Sequence, residues 1–113
     1  MSSINQVILC GHVQEVPGLR SLKTGGTVAN FFIRTEFDGK PEWHRIAAFE
    51  QLAQFAAEKI IKGLEVRIEG RIHTRSYTNS KGGKGYSTEV VADSILIDSS
   101  MGESEENKAD YVH

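Results

Sequence analysis

Trp43, Arg45 and Phe49 have the types and spacing to hold unpaired nucleobases beside a phosphate. In an extended strand, side chains alternate between faces. Trp43, Arg45, Ala47 and Phe49 then project to one side, and His44, Ile46 and Ala48 to the other. With Ile46 toward a core, two large aromatic rings and a guanidinium stand together on one surface. An aromatic ring stacks on any base, contributing ~1–3 kcal/mol per base, and a guanidinium neutralises phosphate. The pattern points to single-stranded nucleic acid. The competing reading inverts the alternation and puts Trp43 and Phe49 in the core.

Other residues extend this chemistry. Arg34, Arg67, Arg71 and Arg75 lie in strand-like segments, Tyr77 continues the alternation of Arg71, His73 and Arg75, and Lys81 and Lys84 sit in a glycine-rich turn. The plain alternative for the arginine-rich strand is a solvated face paired with Glu65 and Glu69. Nothing resembles a base-reading device, so little sequence specificity is expected. His73 reads as a surface residue, and Phe32 as barrel core at a bulge or as a subunit contact.

Catalysis finds little support. The histidines His12, His44, His73 and His113, with the single Cys10, show no metal-ligand spacing. Lys81-Gly82-Gly83-Lys84-Gly85 lacks the spacing of a phosphate-binding loop and opens no helix. No nucleophile motif is present and the carboxylates are scattered. A non-enzymatic protein is expected, without cofactor or metal.

The elements that must position these side chains are mostly strands. The chain has 113 residues, 39% hydrophobic and 25% charged, which suits one domain with a modest core. No apolar run approaches the ~20 residues of a membrane helix, and no secretory signal is evident, so a cytoplasmic, nucleoid-associated protein is expected. Cys10 in Val7-Ile8-Leu9-Cys10 reads as a buried small hydrophobe. The net charge is −2, yet Met101–His113 carries four acids and one lysine, which leaves 12 basic and 11 acidic residues elsewhere, a net of +1. A near-neutral body can carry a basic face. We divide the chain into a barrel domain, 1–98, and a short acidic tail without apolar periodicity, 99–113.

Ile4 to Val13 is a β-rich run, followed by a loop with Pro17-Gly18 and a Gly25-Gly26 turn. Val28 to Phe37 alternates Ala29, Phe31 and Ile33 against Phe32 and Arg34, and Asp38-Gly39-Lys40-Pro41 turns it into the Trp43 strand. A helix is predicted over Gln51–Lys62 from Leu52, Phe55, Ala56 and Ile60, with Gly63 as its C-terminal cap. Period two returns from Val66, with a bulge expected at Gly70, a hairpin tip over Asn79–Gly85 and a last strand over Tyr86–Ile97. The fold class is mainly all-β: a five-stranded oligonucleotide-binding barrel with one helix between strands three and four.

Val7-Ile8-Leu9, Gly26-Thr27-Val28-Ala29-Asn30, Glu42-Trp43-His44-Arg45, Ile68-Glu69-Gly70, Thr74-Arg75 and Tyr86-Ser87-Thr88-Glu89-Val90 occur in the order seen in bacterial single-stranded DNA-binding proteins. The chain resembles that family over roughly residues 4–98. The resemblance implies a homo-oligomer, a tetramer favoured and a dimer possible, around which single-stranded DNA wraps in replication, recombination and repair. It implies stacking on Trp43, Phe49 and Tyr77, and places His44 at a subunit interface. Tyr77 stands where a tryptophan is frequent, and the loop tryptophan of the family has only Phe37 as a loose counterpart. Many relatives recruit replication or repair proteins through a long acidic tail. Here the end, Ala109-Asp110-Tyr111-Val112-His113, departs from that pattern, so recruitment is left open. The alternatives are a short adaptor like the primosomal replication protein, which joins DNA to a helicase, and a protein-binding barrel.

Overall fold

The computed structural model describes residues 3–97. Strands β1 (Val7–Val13), β2 (Gly18–Ser21), β3 (Thr27–Phe37) and β4 (Lys40–Phe49) precede helix α1 (Gln51–Lys59), and β5 (Glu65–Thr78) and β6 (Lys84–Ile97) follow it. Asp38 and Gly39 both have positive φ, 56° and 77°. Their mirror-image turn matches the natural strand twist and closes the β3–β4 hairpin, Phe37 opposite Lys40.

β1 pairs with β5, β5 with β6, β6 runs parallel to β4, and β4 pairs with β3. The circuit closes where β3 returns to β1 through His12↔Arg34 and Val13↔Ile33. The result is the expected five-stranded barrel of oligonucleotide-binding type. β2 is an addition. Among the described residues it pairs only with β3, from Gly18↔Asn30 to Ser21↔Thr27, and lies outside the closed circuit. The helix therefore follows the fourth strand in chain order and the third of the barrel. The four residues Gly18–Ser21, just after Pro17, are too few for periodicity to show, and pairing with β3 holds them as a strand.

Ala29, Phe31, Ile33, Ile46, Ala48, Val66, Ile68, Val90 and Ile95 fill the interior. Ala53 and Ala56 of α1, with Ile60 just past its end, complete the core. The helix ends three residues before the predicted Lys62, because Ile60 is already extended while it buries its side chain. Gly63, at φ 87°, serves the following turn, where its N–H donates to Val13 O at 2.8 Å, rather than capping the helix.

Cys10 is exposed, contrary to its expected burial. Gly11 and Val13 point inward on β1, so Ile8, Cys10 and His12 point outward by parity. An apolar run reads as buried on both faces, but among the described residues only one face of β1 is covered. The bulge at Gly70 is present: Glu69 faces Ser94 and Gly70 faces Ala92, leaving Asp93 out of the ladder. A Cβ at Gly70 would lie 2.0 Å from Val91 O, so the two backbones close at a spacing only glycine permits. Beyond this point β5 and β6 continue as a long hairpin whose β5 half is exposed on both faces. Asn5 anchors its base, donating to Ile72 O at 2.8 Å and accepting from Ile72 N at 2.9 Å.

Candidate nucleic-acid interface

Cross-strand register builds the site. Inward residues of β3 and β4 oppose one another, Phe31↔Ile46 and Ile33↔His44, so their neighbours pair on the outside as Phe32↔Arg45 and Arg34↔Trp43. Aromatic and cationic side chains thus alternate in both directions across two strands. Trp43 is 56% exposed, Phe32 45% and Phe49 37%. The alternation on β4 has the orientation first assigned to it, with Ile46 and Ala48 inside. Phe32 belongs to this outer surface rather than to the core. The Trp43 indole N–H donates to Gln14 Oε1 at 3.4 Å, which ties its edge to the segment after β1.

Ala47 also points outward, yet it is buried. It floors a hollow of about 80 Å³ whose walls include Arg20, Val28, Asn30, Phe49, Arg75 and Glu89. The hairpin of β5 and β6 therefore brings Arg75 to Phe49 and to Arg20 of β2. On the outer side of β5, Arg71, His73, Arg75 and Tyr77 follow one another, opposite Val91, Glu89, Ser87 and Gly85. Tyr77 is 52% exposed and, with Arg75, Ser76, Tyr86 and Ser87, borders an open hollow of about 470 Å³. A third hollow, about 340 Å³, runs from Val7 and Leu9 past Trp43, His44 and Arg45 to Ile72 and Glu89.

Electrostatics divides the arginines. Arg34 Nη2 pairs with Glu36, Arg67 Nε donates to Glu69 Oε2 at 2.8 Å, and Arg71 Nη1 donates to Asp93 Oδ1 at 3.3 Å. Arg45 Nε lies 3.4 Å from Glu89 Oε1, an ion pair by distance, but its N–H is not aimed at that oxygen and finds no hydrogen-bond partner among the described residues. Glu89, 7% exposed, is the one buried charged residue among those described. Arg75, Lys81 and Lys84 have no ion-pair partner among the described residues. The bond to Glu69, with a further contribution from Cys10, raises the pKa of Arg67 above its already high ordinary value. Desolvation opposes this only in part, and Arg67 stays charged at any relevant pH.

Of the sequence-predicted residues, Trp43, Phe49, Arg34, Arg45 and Arg75 come together around β3, β4 and the hairpin. Tyr77 stands further along the hairpin, Lys84 opens β6 across from Thr78, and Lys81 lies in the turn between. Arg71 stands beside Val91 near the bulge. Arg67 is set apart: it faces Cys10 of β1 on one side and Leu96 of β6 on the other. His44 points inward and is half-buried, its Nε2 2.8 Å from Thr35 Oγ1. Phe37 sits exposed beside the β3–β4 turn. The tail, 99–113, lies outside the described residues.

Sequence reasoning missed Arg20, Asn30 and Glu89. Arg20 sits in a strand too short to register, and Glu89 carries no local sign that neighbouring strands will bury it. Among the described residues, no group of three or more His, Cys, Asp or Glu could hold a metal ion. No described helix is long and apolar enough to cross a membrane.

The model of the single-strand binding protein family matches residues 4–98. The chain is similar to the Plasmodium falciparum SSB whose structure was solved in complex with ssDNA, with a TM-score of 0.72 and 28% identity over 81% of this chain and 88% of that one. The matched span contains every strand of the barrel together with the aromatic and basic face on β3, β4 and the β5–β6 hairpin. The chain belongs to the single-strand binding protein family.

Proposed function

We propose that this protein binds single-stranded DNA with little sequence specificity and coats it during replication, recombination or repair, without catalysis. The observation that carries this reading is the crossed pairing of Phe32 with Arg45 and of Trp43 with Arg34 on one open face. Bases stacked on such rings leave their phosphates within reach of guanidinium groups, and neither interaction distinguishes one base from another. Trp43, Phe49 and Tyr77 are the stacking residues. Arg34, Arg45, Arg71, Arg75, Lys81 and Lys84 contact phosphate, with Arg67 at the margin. The complex of a family relative with ssDNA supports the same ligand. We further propose a homo-oligomer, a tetramer ahead of a dimer, with His44 close to the contact between copies.

Trp43 is the only tryptophan and reports on its own site. Titration with oligo-thymidine is expected to quench its fluorescence, less so at higher salt, whereas a matched duplex leaves it unchanged. Absence of any change or mobility shift with either DNA would instead favour a protein-binding barrel.

A further inference from the structure

Gly85 stands directly opposite Tyr77 on the hairpin, and its backbone geometry does not explain why it is glycine. Gly82, in the turn just before it, has a φ of 84° that favours glycine, but Gly85 is not in the left-handed region. Space is the reason. A Cβ at Gly85 would lie 2.6 Å from Tyr77 Cζ, 2.7 Å from its Oη and 2.9 Å from Cε2. The hydroxyl end of the ring therefore crosses the strand and rests where any other side chain would begin. These contacts are all with the far end of the Tyr77 ring, so a side chain at position 85 would swing the ring off the strand by rotation about χ1 rather than distort the backbone.

We infer that Gly85 is a positioning residue that lays Tyr77 across the hairpin as a preformed platform for a nucleobase. Tyr77 remains half exposed, and Arg75 precedes it by two residues on the same face. A base on the ring would place its phosphate beside Arg75, the strand arginine of the proposed set that has no carboxylate partner among the described residues. Ser76, Tyr86 and Ser87 border the same hollow, whose volume of about 470 Å³ leaves room for a nucleotide. A ring already seated loses less freedom on binding than one free to rotate. The inference rests on the proposed single-stranded DNA binding and names how one subsite of it is held.

The test uses the full chain and three variants, G85A, Y77A and the double variant, titrated with oligo-thymidine and followed by Trp43 fluorescence. Y77A is expected to weaken binding about 5-fold or more, the effect of one lost stack. G85A should approach the same loss with its thermal midpoint nearly unchanged, and the double variant should bind no more weakly than Y77A alone. A proton spectrum supplies a readout independent of DNA: a ring-current shift on the Gly85 α protons that disappears in Y77A. Wild-type affinity in G85A, losses that multiply in the double variant, or Gly85 protons indifferent to Y77A would each overturn the inference. If the unmodified protein fails to bind oligo-thymidine, the functional reading itself fails, an outcome separate from these.

Discussion

Glu36→Gln should tighten binding to single-stranded DNA. Arg34 stands opposite Trp43 in the β3–β4 ladder, where a phosphate next to a stacked base would fall. In the free protein its Nη2 is held by Glu36, two residues on and on the same face, with the Arg34 side chain 35% and the Glu36 side chain 53% exposed. A phosphate must take the guanidinium from this carboxylate and then tolerate its charge. An exposed ion pair of this kind is worth ~0–1 kcal/mol. A carboxylate about 6 Å from a phosphate repels it by about 0.7 kcal/mol in water, roughly halved at physiological ionic strength. Together these give a gain of about 0.7–1.7 kcal/mol at low salt, about 3- to 18-fold in affinity. The gain should fade as salt rises, and the dependence of log K on log salt should steepen by up to about 0.7, the contribution of one phosphate contact on a single strand. Trp43 quenching by oligo-thymidine, measured from low to physiological salt, supplies both quantities. The thermal midpoint should hardly move, because the pair is exposed. Unchanged or weaker binding at low salt, with an unaltered slope, would refute the idea that Glu36 screens Arg34 from the ligand.

Other perturbations follow from the same geometry. Trp43→Ala should lower affinity for single-stranded DNA by ~1–3 kcal/mol, about 5- to 150-fold, by mobility shift, with the thermal midpoint little changed. Arg75→Ala, which removes a guanidinium that has no carboxylate partner among the described residues, should reduce the salt slope by about 0.7, whereas the paired Arg71 should give a smaller change. Gly70→Ala sets a Cβ 2.0 Å from a backbone oxygen of the neighbouring strand. It should cost ~3 kcal/mol or more and lower the thermal midpoint by more than about 10 °C in calorimetry, and a normal midpoint would show that the bulge relaxes freely.

What the sequence alone determined is what depends on neighbours a few residues apart. The two faces of β4 follow from strict alternation around Ile46, a local property that tertiary packing did not overrule. The Asp38-Gly39 turn was legible because both residue types tolerate positive φ, and the Gly70 bulge because glycine interrupts an otherwise regular strand. In principle the pairs Arg34–Glu36 and Arg67–Glu69 were also within reach, since two residues on a strand share a face. The tertiary structure alone decided which outward positions become surface. Ala47 is buried because β2 and the hairpin wall it in, and Cys10 is exposed because no described residue covers that face of β1. It also decided that Glu89 meets Arg45, that Asp93 meets Arg71, and that Arg20 and Arg75 share one hollow with Phe49. These residues lie 22 or more positions apart, and only the pairing of strands distant in the chain brings them together. Periodicity reports the direction of a side chain relative to its own strand, but not what another strand sets beside it.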